Sequence, residues 1–218
     1  TKVYDRNETL LFDIFAEQNR TPVPLSDIPK YVQQATIAIE DKDFYRHGGI
    51  SPIGGMVRAF YATVTGSPLQ GGSTITQQLV KSALLTPERT ITRKVREIIL
   101  AFLVEILYPK DKILEMYLNQ VPYGGTAWGI ETASEKYFGK TVKDLTLAQA
   151  SLLSALPQAP TLYSPVGAHP ELAKSRQKEV LRRMTQDGYI TQQQADAAFA
   201  EELSYKNAPN IKAPHFVM

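Results

Sequence analysis

From residue 73 to residue 199 the chain is a succession of helical segments separated by glycine and proline. Thr74 and Gln77 have the S/T-x-x-E/Q spacing of a capping box, which predicts that a helix opens there. Two more helices are predicted to start near Thr92 and near Asp111. Later helix stops are indicated at Gly139, Pro157 and Gly188. This part of the chain is therefore predicted to be mostly α-helical.

The preceding residues add a small β element and one long helix. Residues 3–15 alternate in hydrophobicity and are broken by Asn7, which predicts a short strand or hairpin. Pro29 suits a first helical turn, and the helix that it opens is predicted to end at the glycine pair 48–49. Its apolar stripe consists of Val32, Ala35, Thr36 and Ile39. Residues 51–71 have a weaker pattern, which we interpret as a short helix and a loop.

Composition excludes several classes of site. With 218 residues the chain is long enough to bury a sizeable core. Its 24 Lys and Arg nearly balance 22 Asp and Glu, so the net charge of +2 favours no nucleic-acid partner and any anion site must be local. Without cysteine the chain has no disulfide, thiolate nucleophile or cysteine-ligated metal. The most apolar run, residues 98–107, is too short to span a bilayer, and we predict a buried helix.

Residues 38–50, AIEDKDFYRHGGI, concentrate ionisable side chains at the predicted end of the first helix. The ordinary interpretation is that Glu40, Asp41 and Asp43 cap or solvate this end. However, a helix C-terminus favours cations, so three carboxylates there are locally unfavourable. His47 adds a partner for proton transfer. The stretch is therefore a candidate active site, although Asp43 or His47 alone would be interpreted as a surface residue.

Glu97 lies on the same side of its predicted helix as Arg93 and Lys94, at about 100° per residue. An intrahelical ion pair with Arg93 explains this arrangement without any function. However, cations gather at a helix start, where the dipole disfavours them, and an anionic ligand would remove that conflict. These cations are Arg89, Arg93, Lys94 and Arg96. The opposite stripe is predicted to face the core and consists of Val95, Ile98, Ile99, Phe102 and Ile106.

The helix start in GGSTITQQLVK offers another place for an anion. Free N–H groups, the ammonium of Lys81 and nearby hydroxyls could together hold a phosphate or diphosphate. The hydroxyls belong to Ser73, Thr74 and Thr76. An ordinary capped helix accounts for the same residues, and the residue order of a P-loop is missing. Both interpretations stay open at this point.

Other polar and aromatic residues have structural interpretations. Glu115 and Asn119, four residues apart, are expected to hydrogen-bond each other across the core. Aromatic side chains could stack on sugars, but helix packing is their more frequent use. They are Tyr117, Tyr123, Trp128, Tyr137 and Phe138. The three histidines are far apart and no H-E-x-x-H occurs, so no metal site is predicted.

Five of these segments, in this order, resemble the motifs of the family 51 peptidoglycan glycosyltransferases, the glycosyltransferase domain of class A penicillin-binding proteins. EDKDFYRHGG is similar to the first motif, E-D-x-x-F-x-x-H-x-G, and GGSTITQQLVK is similar to the second. RKVRE is similar to R-K-x-x-E, KILEMYLN to the fourth motif, and KYFGK with LTLAQASLLSALPQAPTLYSP to the fifth. Each motif alone is weak, but five ordered motifs across nearly the whole chain are highly specific.

The resemblance implies a mainly α, lysozyme-like glycosyltransferase fold with a large helical lobe and a smaller membrane-apposed jaw lobe. It also implies polymerisation of lipid II into β-1,4-linked glycan strands, with inversion at the donor anomeric carbon and release of the lipid diphosphate. Glu40 resembles the general base that deprotonates the 4-hydroxyl of the acceptor sugar. Glu97 resembles the second carboxylate, which assists the donor or its departing diphosphate.

The remaining site residues follow from the same resemblance. Lys81, Arg93 and Lys94 are expected to bind the donor phosphates, which a hydrolase acting on neutral glycan would not require. Contacts on the donor side are expected from Ser73, Thr74 and Gln78. The first motif is expected to be shaped by Asp41, Phe44 and His47. The chain departs from the family pattern at Ser51, where Asp is common, and at Gln149, where Glu is common.

We predict a hairpin region at 1–25, the glycosyltransferase domain at 26–205 with its jaw at about 50–71, and a linker at 206–218 toward an absent transpeptidase domain. The jaw is the expected lipid contact. We expect a fragment of a bifunctional parent, without its anchor, on the extracytoplasmic face of the bacterial cytoplasmic membrane. Expected partners are lipid II, the growing glycan, the membrane surface and other cell-wall synthesis proteins, but no nucleic acid. No cofactor is required, although a divalent cation such as Mg²⁺ could assist diphosphate binding.

Two other functions stay open at this stage. A lysozyme-like glycosidase also uses two carboxylates, and it would release soluble muropeptides from sacculi without making polymer from lipid II. A non-catalytic module that binds glycan or lipid phosphate would keep its activity when both Glu40 and Glu97 are replaced. The basic cluster around Glu97 favours the transferase over the glycosidase.

Overall fold

The computed structural model describes residues 2–4, 10–13, 19–49, 73–85 and 90–206, and these are mostly helical. The mainly α fold class is confirmed. The α-helices in the described ranges are α1 (Lys30–Glu40), α2 (Ile75–Leu84), α3 (Ile91–Leu107), α4 (Lys110–Gln120), α5 (Ile130–Phe138), α6 (Leu147–Ala155), α7 (Pro170–Gln186) and α8 (Gln192–Ala200). The predicted jaw and the predicted linker from residue 207 onward lie outside the described residues.

Short strands make up the rest of the regular structure. β1 (Lys2–Tyr4) pairs antiparallel with β2 (Leu10–Asp13), which confirms the predicted hairpin. Three more strands form a small sheet in which β5 is central, parallel to β3 and antiparallel to β4. They are β3 (Asn19–Arg20), β4 (Pro122–Gly124) and β5 (Ala127–Trp128). This sheet joins the segment that precedes α1 to the loop that follows α4.

The α1 helix is packed on α6 and α7 and is buried along most of its length. Its predicted stripe is confirmed, since Val32, Ala35, Thr36 and Ile39 are all buried. The Thr36 and Ser154 hydroxyl oxygens lie 3.2 Å apart, so a hydrogen bond also joins α1 to α6. Because so much of α1 is fixed, its last residue, Glu40, has a well-determined place.

The α4 helix anchors the extended segment before α1 through the two polar residues that were expected to pair. Asn119 Oδ1 accepts from the Val23 N–H at 2.9 Å, and Asn119 Nδ2 donates to the Val23 carbonyl at 2.8 Å. Glu115 Oε2 accepts from the Leu25 N–H at 3.0 Å. The structural role is therefore confirmed, but the predicted bond between the two side chains is wrong, because both are occupied by backbone groups of the segment.

The orientation predicted for α3 is also wrong. Its most apolar stripe is exposed, with 87% of Ile91 and 64% of Ile106 accessible. The buried residues of this helix are Glu97 and Ala101, on the opposite face, which packs toward α2 and α4. The predicted core stripe is therefore exposed or half-buried, and so are the adjacent apolar residues: Ile91, Val95, Ile98, Ile99, Phe102, Leu103, Ile106 and Leu107. Within the described ranges no helix is both long and apolar enough to cross a membrane.

Candidate active site

The α1 helix ends at Glu40, several residues before the glycine pair that was predicted to end it. Asp41 leaves the helical conformation with φ of −161° and ψ of 75°. Its Oδ2 accepts from the backbone N–H of Ile75, the first residue of α2, at 3.0 Å. A carboxylate is favourable at a helix N-terminus, so the contact that stabilises α2 also ends α1. A 3₁₀ turn, Phe44–Arg46, follows.

Asp41 and His47 form a buried pair. Asp41 Oδ1 lies 2.7 Å from His47 Nε2, and less than a tenth of either side chain is exposed. The Gly49 N–H donates to His47 Nδ1 at 3.2 Å, so Nε2 carries the ring proton and donates it to Asp41. These residues were expected to shape the first motif, and their contacts give that expectation a physical basis. Asp41 joins the turn after α1 to the start of α2.

Gly49 is packed where a side chain would not fit. Its φ is +79°, and a Cβ there would lie 2.6 Å from Glu105 Cγ. The Gly49 carbonyl accepts from Thr74 Oγ1 at 2.6 Å, and Thr74 also makes the predicted capping box with Gln77. The hydroxyl of Thr74 is thus used within the protein. Phe44 is completely buried, with Lys110 Nζ 4.4 Å from its ring centroid.

Glu40 is held by uncharged groups. Gln78 Nε2, on α2, donates to Glu40 Oε2 at 2.6 Å. The Tyr117 hydroxyl, on α4, donates to Gln78 Oε1 at 3.2 Å. Glu40 Oε1 is buried and has no hydrogen-bond partner in the described part of the chain. Sequence patterns missed this use of Tyr117, which looked like an ordinary packing residue because it lies in the middle of an apolar helix face.

Burial raises the pKa of Glu40 above its ordinary value of 4.5. The Gln78 hydrogen bond and the positive charges of Arg176 and Arg183 on α7 lower the pKa in part, whereas Asp41 raises it. A carboxylate with a raised pKa is a stronger base than an exposed one. Glu40 therefore combines a buried oxygen atom that lacks a described partner with a raised pKa, as a general base would.

Glu97 is held by cations instead. Only 2% of its side chain is exposed; Lys94 donates to Oε1, and Arg93 Nη1 lies 3.5 Å from Oε2. The predicted ion pair with Arg93 is present, and Lys94 is a second partner. Almost half of the Lys94 side chain is exposed, while Arg93 Nε is buried and has no hydrogen-bond partner in the described ranges. The carboxylate thus holds two cations beside the protein surface.

Ser73 links the two carboxylate networks. Its carbonyl accepts from Gln78 Nε2 at 3.3 Å, and its Oγ accepts from Lys94 Nζ at 3.4 Å. A continuous path therefore runs from Glu40 through Gln78, Ser73 and Lys94 to Glu97. The structure brings together all these predicted residues, which come from three separate sequence motifs. Lys81 is exposed in the last turn of α2.

Two residues have roles that the sequence partly indicated. Asp43 is half exposed and contacts Arg46 at 3.5 Å, in agreement with a surface interpretation. Gln149, where the family often has Glu, forms a capping box with Thr146 at the start of α6. An amide fills that capping role as a carboxylate would. In the described ranges, no three His, Asp or Glu side chains are grouped as metal ligands would be.

The Transglycosylase family model matches residues 7–185. The chain belongs to the transglycosylase family. Its relatives confirm the identification as a family 51 glycosyltransferase domain of class A penicillin-binding proteins. Penicillin-binding protein 1F of Bacillus subtilis is 42% identical over 217 residues, which is 99% of this chain and 30% of that protein. Penicillin-binding protein 1A of Neisseria gonorrhoeae is 46% identical over 193 residues, 88% of this chain and 24% of that protein.

The crystal structure of penicillin-binding protein 1A from Haemophilus influenzae has the same fold, with a TM-score of 0.57. The match covers 95% of this chain and 21% of that one, at 22% sequence identity, so it supports the fold alone. This transglycosylase domain spans less than a third of each of these relatives.

Proposed function

We propose that this transglycosylase domain polymerises lipid II into β-1,4-linked glycan. The observation that carries the proposal is the linked pair of carboxylates. One has a free oxygen and a raised pKa, and the other holds two cations. A base on one side and positive charge on the other are what an inverting displacement of a diphosphate requires.

In the proposed reaction the 4-hydroxyl oxygen of the acceptor sugar attacks the donor anomeric carbon. Its proton passes to the Glu40 carboxylate as the new carbon–oxygen bond forms. The bond from that carbon to the diphosphate oxygen breaks, and its electron pair leaves with the lipid diphosphate. The proton on Glu40 is afterwards returned to solvent, which completes the cycle.

The cations near Glu97 act on the leaving group. Glu97 fixes Arg93 and Lys94 by ion pairs, and Lys94 keeps an exposed side. Two cations against one carboxylate leave a net positive charge, which attracts a diphosphate. Lys81 contributes a further exposed positive charge on α2. Assistance by Mg²⁺ stays a prediction.

Replacement of Glu40 by Gln tests this proposal. The amide keeps the size of the side chain and cannot accept the proton, so glycan synthesis from labelled lipid II, followed on gels, should fall by about 10²–10⁴-fold. Glu171→Gln is the matched control, because that carboxylate is exposed and bonds only to His169 among the described contacts. Near-normal polymer from Glu40→Gln would refute the role of Glu40.

The same preparations distinguish the alternatives. A wild-type chain that releases soluble muropeptides from sacculi and makes no polymer would be a glycosidase. A chain whose biological activity survives the combined replacement of Glu40 and Glu97 would be a binding module.

We also propose that α3 contacts the membrane surface. Its exposed apolar face runs over four turns, from Ile91 to Leu107, and the exposed Arg96 lies beside that face on the same helix. An apolar helix face beside cations is typical of an element that lies in the headgroup region of an anionic bilayer. This placement fits an enzyme whose donor carries a lipid, on the extracytoplasmic face of the bacterial membrane.

Binding to vesicles tests the membrane contact. Phe102→Ser combined with Ile106→Ser should weaken co-sedimentation with vesicles of anionic phospholipid at least about tenfold, because about 0.8 kcal/mol is lost for each CH₂ no longer buried. Leu162→Ser is the matched control, since Leu162 is half exposed but lies in the loop between α6 and α7. Equal binding by both variants would contradict the proposal.

A further inference from the structure

The donor and the acceptor of each hydrogen bond around Gln78 can be assigned without ambiguity. Burial raises the pKa of the Tyr117 phenol well above its ordinary value, so the hydroxyl keeps its proton. Gln78 Nε2 faces two acceptors, Glu40 Oε2 at 2.6 Å and the Ser73 carbonyl at 3.3 Å. If the amide were reversed, its oxygen would face both of these acceptors. The Tyr117 hydroxyl therefore donates to Gln78 Oε1, and Gln78 donates to Glu40.

We infer that Tyr117 is a positioning residue for the base. Through Gln78 it holds Glu40 Oε2, and with it the carboxylate, in place. This inference rests on the proposed function, in which Glu40 is the base, and it adds which residue fixes the orientation of that base.

The location of Tyr117 suits this role. It is completely buried in the middle of α4, a helix that is tied to the segment before α1 by Glu115 and Asn119. Its hydroxyl therefore has a fixed position. Gln78 is only partly buried and depends on its hydrogen bonds for a fixed orientation. Without the Tyr117 donor, the Gln78 amide oxygen loses its partner, and the amide is held only through its bonds to Glu40 and to the Ser73 carbonyl.

Loss of the Tyr117 hydroxyl therefore has a predictable electrostatic effect. The N–H of Gln78 stabilises the ionised form of Glu40 and lowers its pKa. In Tyr117→Phe that N–H is less well aligned, so the pKa of Glu40 rises. The ionised base is then lost at a higher pH, and the acid limb of the rate profile moves upward.

The experiment is a titration of Glu40 in the 218-residue chain with ¹³Cδ-labelled glutamate, assigned by the signal that Glu40→Gln removes. In Tyr117→Phe the midpoint should move up by about 0.5–1 pH units, and the acid limb of lipid II polymerisation should move with it. Below the midpoint the rate should fall about 3–10-fold relative to wild type.

Tyr137→Phe is the matched control. Tyr137 is also buried, and its hydroxyl donates to the Tyr123 carbonyl at 2.9 Å instead of to Gln78. Tyr137→Phe removes the same hydroxyl group from a similarly buried environment. The midpoint of the Glu40 titration should therefore stay at its wild-type value. An equal shift in both variants would indicate a general loss of packing and would overturn the inference.

A second variant tests the route through Gln78 and serves if Tyr117→Phe folds poorly. Gln78→Leu should raise the Glu40 midpoint at least as far, and adding Tyr117→Phe to it should cause no further shift. A full further shift would mean that Tyr117 acts on Glu40 without Gln78, which contradicts the inference. The titration needs no activity, so polymerisation by Glu40→Gln would refute the proposed function while these midpoints judge the inference separately.

Discussion

Glu40 and Glu97 are two buried carboxylates of one site that the protein holds in opposite ways. Glu40 is bonded to an amide, with the two arginines of α7 acting on it only at longer range. Glu97 is in direct contact with two cations. The first environment keeps a carboxylate reactive toward protons, and the second makes it a fixed counter-ion. The difference supports the proposed division of roles, in which Glu40 takes the proton and Glu97 places the positive charge.

The contrast should be largest when each of the two carboxylates is replaced by Gln and the free energy of unfolding is measured. Glu97→Gln leaves Arg93 and Lys94 without a negative partner, and we expect the free energy of unfolding to fall by about 2 kcal/mol. This is below the usual cost for a fully buried pair because Lys94 is half exposed. Urea denaturation measures the loss, with Glu171→Gln expected within about 0.5 kcal/mol of wild type. A stable Glu97→Gln protein would contradict the counter-ion role.

Glu40→Gln should change the free energy of unfolding in the opposite direction, as an increase. Folding raises the pKa of Glu40, so the neutral carboxyl group stabilises the folded protein. This stabilisation is fully present when the pH is below the pKa of the unfolded state, and it is lost as the pH rises through the pKa of the folded state. Above that pH the wild-type protein carries a buried charge that Glu40→Gln lacks. The variant should therefore gain stability relative to wild type as the pH rises above the ordinary glutamate pKa of 4.5. Thermal unfolding across this range measures the difference, and a constant difference would contradict it.

The arginines of α7 should tune the base without contacting it. Arg176 lowers the pKa of Glu40 by its charge, so Arg176→Met should raise that pKa and move the acid limb of polymerisation to higher pH. The rate at high pH should change less than the rate at low pH. Arg182→Met is the matched control, because Arg182 is on the same helix but pairs with Glu179 at the surface. Identical profiles for the two variants would exclude this electrostatic role.

Much of this contrast could be predicted from the sequence. The spacing of Glu97 with Arg93 predicts one of its two ion pairs, and the carboxylates at the end of α1 indicate a site. The end of α1 at Glu40 could not be predicted, because it depends on the bond from Ile75 to Asp41, 34 residues away in sequence. Local patterns of residues do not report such a contact.

The orientation of α3 shows a second limit to what could be predicted from the sequence. Helical periodicity correctly separates the side that carries Glu97 from the apolar stripe centred on Ile99. Periodicity gives the angle between the two sides of the helix, but it does not tell which side packs against the rest of the protein. The apolar side would normally be the buried one, but here the buried residues are Glu97, whose carboxylate has two cationic partners, and Ala101. The burial of such a charged side chain is visible only once the tertiary contacts are known.

The smallest effect is expected at Asp43, which lies three residues from Glu40. Its carboxylate contacts only Arg46, whose side chain is 85% exposed, among the described ion pairs. Exposed pairs contribute little, so Asp43→Asn should change the free energy of unfolding by less than about 0.5 kcal/mol and leave polymerisation at the wild-type rate. The measurements are urea denaturation and the lipid II gel assay. A large loss of activity would mean that the acidic stretch works as one unit, and the separation of Glu40 from its acidic neighbours would then be wrong.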